Sequence, residues 1–253
     1  MVCLDWFRDL SDEIFCYNNT SKKIVKTILD DEKWKFWTPS NGKNDPPPDF
    51  YCDKYQLMME IMRVDDHTFK KNGHYRNPTN EAESRIYNEL REKGIVNGVN
   101  GNMVIVSAKS GLPTEQDHNY NWYLTNFERV IDKHNQKVNL YRRNHPGYKC
   151  IFFIVDESSS YLVARTTKDV PKEIVPGAPF VGKPHLHFLD DNFISCLSKT
   201  KADFIIWFSP YKHINFADSG MPQLPKVSVY EVSKLSKLET INYDKELVFQ
   251  SEA

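Results

Sequence analysis

The sequence predicts an α/β fold: a single domain over 1–253 with a mixed central β-sheet flanked by helices. Three observations carry that reading. The runs 149–156 (KCIFFIVD) and 203–209 (DFIIWFS) are apolar on both faces, as strands covered from both sides are. Stretches with helical spacing separate such runs, which is the pattern of a sheet with helices packed on it. Residues 46–66 read as two extended segments joined by a turn at Asp53-Lys54. No internal repeat and no long linker divides the chain.

Taken in order, 11–31 reads as a helix. Ser11 caps it, and Asp12 and Glu13 occupy the first turn, where the helix dipole favours acids. Trp34, Phe36 and Trp37 follow as a strand or an anchor. Residues 38–48 (TPSNGKNDPPP) form a loop, and the prolines force an extended approach to Asp49. After the hairpin, 67–77 is a polar loop. Thr79 caps a helix over 80–93 that Gly94 stops. Residues 103–108 (MVIVSA) read as a buried strand. The longest helix spans 120–143, with Leu124, Phe127, Val130, Ile131 and Val138 on its buried face. A short strand at 161–165, an irregular stretch over 166–184 and a short helix over 190–201 precede the 203–209 strand. The last strand, 226–232, is expected at a sheet edge, because Pro222 and Pro225 stand just before it.

Composition excludes several classes. The formal net charge of −1 gives no global pull towards polyanions, so a nucleic-acid partner needs a local basic patch. The five cysteines are odd in number and none is spaced C-x-x-C, which suggests neither a disulfide framework nor a zinc ribbon. They read as reduced thiols in a cytoplasmic protein. The first residues lack the basic start and apolar core of a signal peptide. No apolar run approaches the roughly 20 residues of a membrane span, so no membrane partner is expected.

The chemistry-bearing feature is Glu60, inside the apolar run 57–64. An ionised carboxylate there costs several kcal/mol unless it is paired or metal-bound. Asp49, at the start of the preceding extended segment, is placed to share its partner. Two carboxylates on neighbouring strands hold a hard divalent cation; alternatively, Asp49 is a turn residue and Glu60 meets a basic side chain. Weaker candidates follow. Asp156-Glu157 ends a buried strand, where acids line sites or simply cap the turn. Residues 177–183 fit the letters of a phosphate loop, but Pro184 stands where Ser or Thr belongs. His185 and His187, with Asp190 or Asp191, have spacing for zinc or iron but no second cluster. Asp65-Asp66-His67 has similar standing. Arg142, Arg143, His145 and Lys149, and separately Lys199, Lys201, Tyr211, Lys212 and His213, form candidate basic patches.

The arrangement Pro48-Asp49, about ten residues, then an apolar strand carrying Glu60 resembles the PD-(D/E)xK nuclease superfamily. The resemblance implies a restriction-endonuclease-like α-β-β-β-α-β core over about 11–209, with 210–253 as a C-terminal extension. It implies that Asp49, Glu60 and the carbonyl of Ile61 bind magnesium and that the chain hydrolyses DNA or RNA phosphodiesters. The family's lysine position is Met62, which offers neither a proton nor a charge. Lys109, after the MVIVSA strand, is the substitute in this sequence. Without such a lysine, the same resemblance implies a catalytically inactive nuclease-fold protein that binds nucleic acid or protein. A small-molecule enzyme centred on 177–191 would need that stretch to form a pocket.

Overall fold

In the computed structural model, residues 14–40, 47–66, 69–71, 74–76, 78–94, 119–171, 182–212 and 224–250 are described. The centre is a mixed sheet of seven strands. In chain order these are β1 (Ile14–Cys16), β2 (Thr38–Pro39), β3 (Phe50–Cys52), β4 (Leu57–Val64), β7 (Lys149–Asp156), β10 (Phe204–Phe208) and β11 (Val227–Glu231). They lie side by side as β2-β3-β4-β7-β10-β11-β1. The hairpin β3/β4 is antiparallel, whereas β4, β7 and β10 run parallel. Parallel neighbours need crossover helices, and the sequence supplies them. The helices are α1 (Asn19–Leu29), α2 (Pro78–Glu92), α3 (Tyr120–Asn135), α4 (Val138–Asn144) and α5 (Asp191–Ser198). A hairpin of β5 (Phe69–Lys71) and β6 (His74–Arg76) stands apart from this sheet. So does a small sheet of β8 (Tyr161–Val163), β9 (Lys183–Pro184) and β12 (Val248–Gln250).

Strand alternation sorts the core into two layers. Leu57 and Met59 of β4, Ile151 and Phe153 of β7, and Phe204 and Ile206 of β10 face one side, where Val25 and Ile28 of α1 close over them. Met58 and Met62, Phe152 and Ile154, and Ile205 and Trp207 face the other side. There they meet Tyr123, Phe127 and Ile131 of α3 and Phe193 of α5. Glu60 lies on this second face, with Met58 and Met62. Among the described residues no helix is long and apolar enough to cross a membrane.

Several expectations need correction. The helix expected over 11–31 is a strand followed by a shorter helix. Ile14–Cys16 pairs in parallel with β11, and Asn18 caps α1 by accepting from the Ser21 amide at 2.8 Å. Ser11 lies outside the described residues. Trp34 and Trp37 form a buried anchor in a turn, where Lys33 and Trp34 take left-handed φ values of 53° and 58°. The helix expected over 120–143 breaks at Gln136-Lys137 into α3 and α4. A tightened turn from Lys137 N–H to the His134 carbonyl marks the break. The strand over 226–232 is interior, because β1 covers its outer side. The outermost strand at the other end is β2, which contains Pro39, a residue suited to an edge. Residues past 210 are part of the architecture, since β11 belongs to the main sheet and β12 pairs with β8. The 103–108 strand and Lys109 lie outside the described residues.

Phe153 is fully buried in the first layer. Phe153→Ala should lower stability by about 3–5 kcal/mol in urea denaturation, and Phe153→Leu by much less, because leucine leaves a smaller cavity.

Candidate functional site

The register of the hairpin brings the two acids together. Phe50 faces Met59 across β3/β4, so Asp49 stands opposite Glu60. They lock reciprocally. The Asp49 amide donates to Glu60 Oε2 at 3.3 Å, and the Ile61 amide donates to Asp49 Oδ2 at 2.8 Å. The N–H of Ile61 thus engages Asp49; the Ile61 carbonyl, named from the resemblance as a metal ligand, is a separate group on the same strand. Glu60 is 5 % exposed, whereas Asp49 keeps much of its surface in water. The pair is therefore closed on the strand side and open at its rim.

Glu60 has the basic partner its burial demands. Nδ1 of His134, from the last turn of α3, lies 2.7 Å from Glu60 Oε1. Burial pushes the Glu60 pKa up, but the His134 hydrogen bond, the nearby Tyr141 hydroxyl and the His134 charge outweigh it and hold Glu60 below its usual value. Tyr141 of α4, fully buried, is pushed far upward by burial and by Glu60, so it stays protonated. Asp49 moves the other way. Burial raises it, the Ile61 amide opposes, and the Glu60 charge raises it further, for a net increase. Lys137, exposed at the start of α4, is close enough for its charge to pull Asp49 partly back.

Sequence reasoning found Asp49 and Glu60 but missed His134, Lys137 and Tyr141. A signal for two of them was present. Positions 127, 131, 134, 138 and 141 follow three- and four-residue steps, so His134 and Tyr141 lie on the stripe that faces the sheet. Met62 is 3 % exposed and packs in the core under α3. A lysine there would enter the core, not reach the acids through solvent. Arg63, on the opposite face, pairs with Glu157.

The chain matches no protein-family model, no curated protein and no solved structure. The site is therefore read from its geometry.

The other candidates resolve into structural roles. Asp156, fully buried at the end of β7, accepts from Tyr123 Oη at 2.5 Å, Trp207 Nε1 at 2.8 Å, and the Ser158 amide and hydroxyl at 3.0 and 2.5 Å. Lys212 Nζ lies 3.8 Å away and donates to Ser158 Oγ and the Ser159 carbonyl at 2.6 and 2.9 Å. Lys212 is thus buried at the ends of β7 and β10 and is no part of a surface patch with Lys199 and Lys201; His213 is outside the described residues. Asp66 accepts from the Ser159 amide and Tyr161 Oη, and the Asp65 carbonyl accepts from Asn126. His67 is outside the described residues. Of the first basic cluster, Arg142 and Lys149 both hold Asp203, at 3.3 and 3.1 Å.

His185 and His187 do not converge. His185 Nε2 lies 2.7 Å from Asp190 Oδ2, and His187 Nε2 lies 3.2 Å from Ser209 Oγ. Burial lowers the His185 pKa despite Asp190, so a neutral ring donates to the carboxylate. Among the described residues no group of three or more His, Cys, Asp or Glu side chains is arranged for a metal. Asp190 itself caps α5 by accepting from the Asn192 amide. In the phosphate-loop stretch, residues 177–181 are outside the described residues. Gly182 leads into β9, not a helix, so the context such a loop requires is missing. A Cβ at Gly182 would stand 3.1 Å from the Val163 carbonyl, which accounts for the glycine.

Two outcomes test this description. Lys212→Ala should cost about 3–5 kcal/mol in denaturant unfolding, because Asp156 is left buried without its cation. The two paired acids should behave oppositely at neutral pH without divalent ions. A raised folded pKa means ionised Asp49 opposes folding, and its stabilising contribution is lost as pH rises through the folded value. Asp49→Asn should raise the Tm slightly, since partial exposure screens the effect. Glu60, with a lowered folded pKa, contributes stability above its unfolded value, which is lost as pH falls through the folded value. Glu60→Gln should lower the Tm at pH 7, and the difference from wild type should shrink on acidification.

Proposed function

We propose that the chain is a divergent metal-dependent nuclease-like protein that hydrolyses nucleic-acid phosphodiester bonds at Asp49 and Glu60. The observation that carries this is the reciprocal lock, which fixes two carboxylates side by side at a solvent-open rim. The element order supports it as well. With β5, β6 and α2 set aside between β4 and α3, and α4 set aside between α3 and β7, the elements α1, β2, β3, β4, α3 and β7 keep the α-β-β-β-α-β order of the PD-(D/E)xK nucleases, and β2-β3-β4-β7 are neighbours in that order.

The donor set fits magnesium. That ion takes one or two carboxylates and fills its remaining positions with water and substrate phosphate, so a third acidic side chain is not needed. The Asp49 pKa is raised, chiefly by burial and further by the neighbouring Glu60 charge, and a bound cation would favour its ionised form. Asp49 and Glu60 would hold the ion, which would supply an activated water and offset phosphate charge. The chain's own groups do the rest. His134 fixes the Glu60 rotamer and takes up one of its oxygens. Tyr141, kept protonated, bounds the site from the helix side. Lys137 stands at the rim where the motif lysine is lacking, and is placed to meet a phosphate oxygen. Lys109 is not needed for this arrangement.

Asp49→Ala should abolish magnesium-dependent cleavage of labelled DNA and RNA while the protein stays folded by circular dichroism. Unchanged cleavage would remove Asp49 from the site.

The His134 contact favours a second reading, an inactive nuclease-fold protein that binds nucleic acid or protein. Glu60 already has a basic partner, and Met62 fills the lysine position. Under that reading wild-type protein shows neither cleavage nor a magnesium-induced rise in Tm.

A further inference from the structure

Next to the paired acids three rings form a ladder. Tyr51 and His145 have centroids 4.5 Å apart at an interplanar angle of 31°, and His145 and Tyr148 follow at 5.5 Å and 45°. Tyr51 lies two residues after Asp49 on β3, so both side chains share the face that α3 and α4 cover. All three residues are half-buried: Tyr51 and Tyr148 pack against the core on one side, Nε2 of His145 is closed off, and the rest of each residue's surface is in solvent. The ladder is held rigidly. Asn144 Nδ2 donates to the Pro47 carbonyl at 2.7 Å, Tyr148 Oη donates to Asp53 at 2.7 Å, and the Lys149 amide donates to the Gln56 carbonyl at 2.9 Å. Burial lowers the His145 pKa, which favours an uncharged ring.

Cations flank it. Arg142 and Lys149 are committed to Asp203, but Arg143 and Lys137 are exposed and form no ion pair among the described residues. Half-exposed rings beside uncommitted cations are what unpaired bases and their phosphates need. Base faces stack on aromatic rings with little regard to sequence, and the backbone follows the positive charge. In a duplex those base faces are covered, so the ladder selects single strands.

We propose that the Tyr51–His145–Tyr148 ladder seats unpaired bases of a single-stranded nucleic acid, whose backbone passes Arg143 and Lys137 towards Asp49 and Glu60. The proposal rests on the reading of those acids as a phosphodiester site, and names its substrate as single-stranded.

The test is fluorescence anisotropy of the full chain in EDTA at low salt, with a fluorescein-labelled oligothymidylate of about 16 nucleotides and a duplex of equal length. The single strand should bind at least about tenfold tighter than the duplex, and Tyr148→Ala should lose about tenfold in single-strand affinity. Tyr148→Phe, which keeps the ring but not the bond to Asp53, should bind like wild type. Arg143→Ala should weaken binding and reduce the salt slope by about one. Duplex binding equal to or tighter than single-strand binding overturns the proposal, as does wild-type affinity in Tyr148→Ala. Because EDTA separates binding from cleavage, the two readings fail differently. Single-strand binding without magnesium-dependent cleavage removes only the catalytic reading. Cleavage that Tyr148→Ala leaves unchanged, with unchanged affinity, removes only the ladder.

Discussion

The site depends on the register of one strand. β4 pairs with β7 through eight residues and with β3 through three, which fixes Glu60 beside Phe152 on one side and puts Asp49 opposite it on the other. A shift of one residue would turn Glu60 into the layer under α1 and bring Arg63 onto the α3 face. That slip is opposed at both ends of the strand. The Gln56 carbonyl accepts from Lys149 and the Val64 carbonyl accepts from Glu157, so the ladder between β4 and β7 is closed beyond the strand itself. The buried residues on both faces oppose it too, because Met58, Met62 and Val64 would have to exchange layers with Leu57 and Met59. A costly buried carboxylate is thus held in place by apolar packing that has no other suitable register.

Asp156 and the Asp49–Glu60 pair lie at different ends of the same sheet face, and comparing them shows why the pair reads as a site. At Asp156 every strong donor nearby is already engaged. Two aromatic donors, a serine and its amide surround the carboxylate, and Lys212 balances the charge. Nothing about it calls for a ligand; its work is to tie the ends of β7 and β10 to α3. At Asp49–Glu60 the balance is incomplete. His134 compensates Glu60, whose pKa falls, but Asp49 remains next to that charge and its pKa rises. Burial is the main cause of the Asp49 rise, the Glu60 charge adds to it, and His134 and Lys137 offset it only in part. An acid held in that state at a rim open to solvent is one that a cation would favour ionising.

Much of the fold was legible because strong local patterns agreed with tertiary demands. The runs at 149–156 and 203–209 are apolar on both faces and became central parallel strands. The hairpin at 50–64 followed from alternation and its turn. Elements without a strong local pattern were not legible. Ile14–Cys16 has three residues, too few to separate a strand from the start of a helix, and only its partner β11 settles it. The interior place of β11 was hidden for the same reason, since the strand covering it comes from the other end of the sequence. At the site, Asp49 and Glu60 stood out because a carboxylate in an apolar run is anomalous. His134 did not, because a histidine on a helix is ordinary until the helix is laid across the strand. Lys212 misled for a related reason. Lysine is seldom buried, and nothing near it in the sequence announces Asp156 as the group that makes burial tolerable.

Met62 has a consequence for how such a site could work at all. Met62 faces the same side as Glu60 but sits under α3 among apolar side chains, so that part of the β4 face is sealed from water. A cation needed near the acids has to come from the helix side, and the break between α3 and α4 supplies the means. The tightened turn at His134–Lys137 ends one helix and begins the next directly over the acid pair. His134 goes to Glu60, and Lys137 is left exposed beside Asp49. The same break starts the short helix whose end carries His145 against Tyr51. One interruption of a helix therefore sets the charge on the acids, the basic group at their rim and the rings next to them. Continuous helix through 136–137 would place Lys137, Tyr141 and His145 differently relative to β3 and β4. The apolar Met62 on the strand and the break between the helices are then two parts of one arrangement, in which positive charge reaches the acids from above the sheet.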